Sequence, residues 1–306
     1  MSAPGRIETG VTAPTAEPLD WRSAELQELL ASSCPGLEVQ VVPSVDSTNT
    51  RLLEVCRARA APPSSARLLV AEDQTGGRGR QGRQWYSTRG ASLTFSLAWP
   101  VRAADLSGLS LAVGVALAEA LEPGDATAPR IALKWPNDLW LTDAAQDSSA
   151  AARTGRKLGG ILIETLQSGP QRIAIIGIGL NVLPVAVREA RSGVAWLQEI
   201  DSQLNAPRVL YRVAPSLLQA LHDFDATGFD GFEPRYRQRD LLLGLTVRAG
   251  AVQGVADGVA RNGALRVRSA DGVQEVVAGE VSIDFPPHRQ PGAELAPAAR
   301  PPQAAC

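Results

Sequence analysis

Lysine is scarce in this chain: only Lys134 and Lys157 stand among 30 basic residues, and all the others are arginine. An ammonium is a compact point charge on a flexible stem, and the planar arginine fork does not replace it where space is tight. The two lysines are therefore candidates for work that needs a small, movable cation. Cysteine is also rare. The three present, Cys34, Cys56 and Cys306, are odd in number and show no CxxC spacing, which points away from a disulfide framework or a zinc knuckle. Histidines number two. His222 lies in the helical pattern LLQALHDF and reads as a helix-surface residue, and His288 lies in a proline-rich tail, so a Ser-His-Asp or Cys-His mechanism has no suitable base. No stretch reaches the roughly 18 consecutive apolar residues of a membrane span, and the N-terminus lacks the apolar core of a signal peptide. A cytoplasmic protein is expected. A net charge of −2 gives no global pull toward nucleic acid or anionic membrane, and no internal repeat is visible.

What is present is an ordinary globular composition, 44% hydrophobic and 20% charged, over a length that suggests about two domains. Residues 1–19 and 286–306 are rich in Pro, Ala, Gly and Ser and read as disordered tails. From Trp21 the pattern is a helix (SAELQELLAS), a strand ending near Val45, and a cluster of cap formers at 46–49 before the helical stripe RLLEVCRARA. RLLVAEDQ, SLTFSLAW and RIAIIGIGLNV read as strands. LSGLSLAVGVALAEAL is an almost wholly apolar helix and so belongs in the interior. IALKWPNDLWL and RKLGGILIETL read as two strands bridged by a long polar loop over 143–156. Strands joined by loops favour an α+β fold with a mixed or antiparallel sheet flanked by helices. After Arg239, short Val-rich strands split by Asn-Gly and Asp-Gly turns predict a small antiparallel, SH3-like barrel. The expected units are 20–239 and 240–285.

Three stretches carry chemistry. TGGRGRQGR (75–83) matches GxGxxG as a string, but it runs into a strand rather than opening a helix, which argues against a dinucleotide site and a nicotinamide-dependent oxidoreductase. Glycines interleaved with Arg78, Arg80 and Arg83 instead suit a cationic loop that orders around an anion. In KWPNDL, Pro136 stiffens the backbone while Asn137 and Asp138 set an amide and a carboxylate beside Lys134; a phosphate-binding cation with a Mg²⁺-binding acid is a frequent nucleotide-site pairing. Lys157 precedes Gly159-Gly160, and glycines inside a strand suggest close approach of a ligand or another backbone.

In order, DSTN (46–49), AEDQTGGRGRQGRQW (71–85), KWPNDL (134–139), GRKLGGILIE (155–164), GIGLNV (177–182) and GEVSID (279–284) resemble the biotin protein ligase family, the biotin–[acetyl-CoA-carboxylase] ligases. The resemblance covers roughly residues 40–285. It implies a class II synthetase-like catalytic domain and two steps: biotin and MgATP form biotinyl-5′-AMP and pyrophosphate, and the biotinyl group then moves to a lysine of a biotin carboxyl carrier domain of acetyl-CoA carboxylase or a related carboxylase. It implies that Ser47, Thr48, Asn49 and Gln74 contact biotin, that Arg78-Gly79-Arg80 closes over biotin and phosphate, and that Lys157 reaches the carboxylate and the acyl-phosphate oxygen. Arg83, Trp85, Lys134, Asn137, Asp138 and Asn181 would surround ATP, with Asp138 as a Mg²⁺ contact. Catalysis would fall to Lys157, Arg80 and Lys134. Some members add an N-terminal helix-turn-helix of about 60 residues and act as repressors. Only about 40 residues precede DSTN, so no DNA binding is expected. A homodimer is open to the chain. The alternative reading is a lipoate–protein ligase-like acyl-adenylate transferase.

Overall fold

The computed structural model describes residues 19–58, 65–122, 129–142, 155–168, 171–184 and 193–283. The expected tails, apart from Leu19, and positions 143–154 of the expected long loop lie outside the described residues.

The main unit is a seven-stranded sheet built from β1 (Glu38–Val42), β2 (Arg67–Ala71), β3 (Ser92–Val101), β4 (Ile131–Lys134), β5 (Asp138–Thr142), β6 (Gly155–Ser168) and β7 (Gln171–Asn181). The order is β1-β2-β3-β7-β6-β5-β4, with only β1 and β2 parallel. This is the expected mixed sheet. The stretch expected as one strand over 131–141 is instead a hairpin, because Pro136 has no N–H to give a ladder and turns the chain between Lys134 and its cross-strand partner Asp138. The strand expected to run to Val45 stops at Val42, before Pro43, and Val45 keeps only an isolated bridge to Gln74.

Strand periodicity divides the sheet into two faces. One face carries Leu68, Val70, Phe95, Leu97, Ala174, Ile176 and Ile178 into the main core. Against it lie α1 (Ser23–Ala31), α3 (Leu109–Leu121) and α4 (Ala206–Thr227). α3 is apolar all round because it is enclosed, with ten of its 13 residues buried. The opposite face carries Leu69, Ala98, Ile173 and Ile175, covered by Leu52, Leu53 and Cys56 of α2 (Thr48–Arg57). Ser47 caps α2, its side chain accepting from Thr50 N, which matches the cap cluster in the sequence.

The chain then passes through α5 (Glu233–Arg239) to β8 (Thr246–Ala249), β9 (Val252–Val259), β10 (Leu265–Ser269), β11 (Gly272–Val276) and β12 (Val281–Ile283). These form an antiparallel sheet in the order β11-β10-β9-β8-β12. No pairing between β11 and β12 closes it among the described residues, so the expected barrel is an open five-stranded sheet here. Leu241 N donates to Leu133 O at 3.0 Å, which stitches the entry to this sheet onto β4.

Candidate active site

A cavity of about 300 Å³ opens on the α2 face of the large sheet. It exists because three adjacent sheet positions on that face have no side chain. Gly160 pairs with Gly179, and Gly177 lies two residues before it. A Cβ at Gly177 would stand 2.4 Å from Asn49 Oδ1, and one at Gly179 would stand 2.5 Å from the Trp85 ring. Both lie far inside van der Waals contact, so glycine is what lets Asn49 and Trp85 lie on the sheet. α2 walls the hollow on one side and the C-terminal sheet on the other, through Glu280, Val281 and Ser282.

The two lysines meet in this cavity. Lys134 and Asp138 are cross-strand partners at the tip of the β4–β5 hairpin, on the face that carries Gly160. Lys157 would point to the other face in a regular ladder. A bulge at Leu158 shifts the register, so Lys157 pairs with Trp140 and shares its face with Asp138. Its Nζ donates to Asp138 Oδ1 at 2.7 Å. Gly160 lies directly against that pair: a Cβ there would stand 3.5 Å from Asp138 Oδ1 and 3.6 Å from Lys157 Nζ, ordinary van der Waals contact. Lys134 Nζ donates to Val281 O at 2.8 Å and lies 5.8 Å from the centre of the Trp140 ring. Burial pulls the Lys134 ammonium below its usual range; the charge of Asp138 opposes this and that of Lys157 adds to it. Lys134 therefore gives up its charge at lower pH than a free lysine.

The arginine loop folds back on itself over the cavity. Trp85 N donates to Gly77 O at 2.8 Å and Gly79 N to Arg83 O at 2.7 Å. A Cβ at Gly77 would be 2.5 Å from Trp85 O, and Gly82 sits at φ +74°, so these two glycines have conformational reasons to be there. Each arginine reaches a different element: Arg78 to Glu164 on β6, Arg80 to Asn137 Oδ1 at 3.4 Å, and Arg83 to Glu280 before β12.

At the other end of the cavity is a nearly buried polar chain. Thr48 N donates to Gln74 Oε1 at 2.8 Å. Ser96 Oγ lies 2.7 Å from Thr48 Oγ1 and 2.6 Å from Asn49 Oδ1. Ser47, Thr48 and Asn49 are each 3% exposed, which places hydrogen-bonding groups beneath the hollow rather than in bulk water.

Of the residues singled out in the sequence, Ser47, Thr48, Asn49, Gln74, Arg78, Gly79, Arg80, Arg83, Trp85, Lys134, Asn137, Asp138 and Lys157 all line this one cavity. Asn181 does not. Its Nδ2 donates to Lys157 O at 3.3 Å and to Ala195 O at 3.1 Å, so it holds the backbone of Lys157 from beneath. Sequence reasoning missed Ser96, Gly177, Gly179 and Glu280. The GIG and GEVS stretches were the available signal, but nothing local shows which of their residues face the cavity. No group of three or more His, Cys, Asp or Glu that could hold a metal occurs among the described residues, and none of their helices is long and apolar enough to cross a membrane.

Residues 41–181 match the model of the biotin/lipoate A/B protein ligase family, and residues 244–284 match that of the biotin protein ligase C terminal domain. The chain is 32% identical over 257 residues to the bifunctional ligase/repressor BirA of Escherichia coli, covering 81% of this chain and 74% of that one. It is 33% identical over 242 residues to the biotin–[acetyl-CoA-carboxylase] ligase of Mycobacterium tuberculosis, covering 76% and 81%. Among solved structures, it is similar to the biotin protein ligase of Aquifex aeolicus in complex with biotin and ATP, with a TM-score of 0.65 and 29% identity over 81% of this chain and 99% of that one. The Leishmania major enzyme in complex with biotinyl-5-AMP gives a TM-score of 0.53 at 26% identity, covering 80% and 100%.

Proposed function

The chain belongs to the biotin protein ligases, and we propose how its cavity carries out their reaction. It is a ligase that activates biotin with ATP and transfers the biotinyl group to protein. In the first step a biotin carboxylate oxygen bonds to the α-phosphorus of ATP while the bond to pyrophosphate breaks. In the second, an acceptor lysine amine bonds to the acyl carbon, the bond to AMP breaks, and the amine loses a proton. Both steps bring anions or an anionic leaving group together, so positioning and charge neutralisation are the main demands.

The observation that carries this assignment is the meeting of Lys134, Lys157 and three loop arginines in one hollow whose far end is lined by polar groups. In our reading Ser47, Thr48, Asn49 and Gln74 hold the biotin ring, and Arg78-Gly79-Arg80 covers it. Lys157 exchanges Asp138 for the carboxylate and then for the acyl-phosphate oxygen. Such a charge about 4 Å from an anion is worth roughly 4 kcal/mol at an effective dielectric near 20. Lys134, Asn137, Arg83 and Trp85 border the nucleotide, and Asn181 serves by fixing Lys157. Mg²⁺ fits as an ion delivered with ATP: it is commonly held by one or two carboxylates plus phosphates, and Asp138 and Glu280 both line the cavity. It would supply charge neutralisation on the phosphates.

We take 20–239 as the catalytic unit and 240–285 as its C-terminal unit. The acceptor we propose is a biotin carboxyl carrier domain of acetyl-CoA carboxylase or a related carboxylase, met in the cytoplasm where ATP is made available. A net charge of −2 favours this over a DNA-binding role. A homodimer through an edge of the large sheet would use β1, since 240–241 cover β4. Exchange of labelled pyrophosphate into ATP tests the whole reading. Exchange should require biotin, and Lys157→Ala should lower it by at least about 100-fold with an unchanged circular dichroism spectrum. Exchange with lipoate alone, or near-normal turnover of the variant, contradicts it.

A further inference from the structure

Glu164 closes the GRKLGGILIE stretch on β6 and does not line the cavity. Its neighbours do. Both carboxylate oxygens accept from Arg78 Nη2, at 3.1 and 3.0 Å, and Oε2 also accepts from Asn49 Nδ2 at 2.9 Å. A carboxylate offers only acceptors, so it fixes which way the Asn49 amide faces: Nδ2 toward Glu164 and the Leu162 carbonyl, Oδ1 toward Ser96. From Asn49 the chain continues through Ser96 and Thr48 to Gln74, the residue from which the backbone enters the arginine loop. The network thus leaves the loop at its stem, crosses the polar end of the cavity, and returns to the loop at Arg78. The contacts of Arg80 and Arg83 tie the loop to other walls and have no such link to Asn49.

We propose that Glu164 is a positioning residue that latches the arginine loop through Arg78 while setting the orientation of the Asn49 amide, so that one carboxylate couples closure of the loop to the shape of the biotin end. The part concerning biotin rests on the ligase reading; the latch does not. The Arg78 and Glu164 side chains are 45% and 29% exposed, so solvent screening keeps the effect moderate.

The test compares wild type with Glu164→Gln, Arg78→Ala and the double variant. Glutamine keeps the shape and can still accept from Asn49, but it loses the charge that holds Arg78. Amide hydrogen exchange of 75–84 in the ligand-free enzyme should quicken about fivefold in Glu164→Gln. The biotin KM in pyrophosphate exchange should rise by about the same factor with kcat within about twofold, a split that general loss of fold would not give. Adding Glu164→Gln to Arg78→Ala should change neither readout further. Unaltered loop exchange in Glu164→Gln, or a full extra effect in the double variant, overturns the proposal. Should the wild type show no biotin-dependent exchange, the ligase reading fails, and loop hydrogen exchange still decides the latch.

Discussion

Gly177 and Gly179 show how a missing side chain makes a site. They lie on one face of β7, two residues apart, and each is covered by a different side chain, Asn49 over the first and the Trp85 ring over the second. A methyl group at each should therefore separate the two halves of the cavity. Gly177→Ala should displace Asn49 and weaken biotin binding by about tenfold or more, the scale of one to three kcal/mol expected for overpacking, with nucleotide binding nearly kept. Gly179→Ala should displace Trp85 and do the reverse. Calorimetric titration of each variant with biotin and with ATP checks this, and identical losses in both would show that the hollow is not divided as proposed.

Among the elements, α5 is short and has one fully buried anchor, Tyr236. The helix clamps the approach to β4. Arg239 Nη1 donates to Glu122 Oε2 at 2.8 Å and to Ile131 O at 2.9 Å, while Glu122 also receives Arg130 N and Ile131 N at 2.7 and 3.1 Å. Burial pushes the Tyr236 phenol well above its usual range, and the nearby charge of Asp240 adds to this. The fold therefore holds the neutral phenol. That stability is fully present below about pH 10, where the unfolded tyrosine ionises, and it is lost as pH rises toward the folded value, at about 1.4 kcal/mol per pH unit. Tyr236→Phe should flatten this alkaline loss. Urea midpoints of both proteins at pH 8 and pH 11 measure it; equal slopes would assign the loss to other groups.

The whole molecule is joined where its two sheets meet at KWPND. Trp135, 2% exposed, donates its indole N–H to Gly263 O at 3.0 Å; Lys134 reaches Val281 O; and Arg83 reaches Glu280. The C-terminal sheet therefore completes one wall of the cavity. Trp135→Ala should cost about 3–5 kcal/mol, the usual range for truncating a buried tryptophan, and should lower ATP affinity because Lys134 shares the same turn. Urea unfolding followed by circular dichroism, with ATP titration alongside, reads both. A cost below about 1 kcal/mol would mean that the sheets hold together by other contacts.

By itself, the sequence determined the class of elements, the mixed sheet, a helix cap within 46–49 and most of the polar and charged residues that line the cavity. The elements, the arginine loop, Lys134 with Asn137 and Asp138, and Lys157 were legible because they rest on local patterns: alternation, glycine-arginine spacing, and a lysine kept in a chain that otherwise uses arginine. Ser47, Thr48, Asn49, Gln74 and Trp85 were legible only through the ordered motifs that resemble the family. Only the tertiary structure decided the face to which Lys157 points, since that depends on a one-residue bulge opposite Trp140. It alone moved Asn181 beneath Lys157, brought Glu280 over from the second sheet, split 131–141 into a hairpin and, among the described residues, left the C-terminal strands as an open sheet. Each of these follows from which distant strand pairs with which, and in what register. That choice is set by the summed packing and hydrogen bonding of the whole sheet rather than by any short stretch of chain.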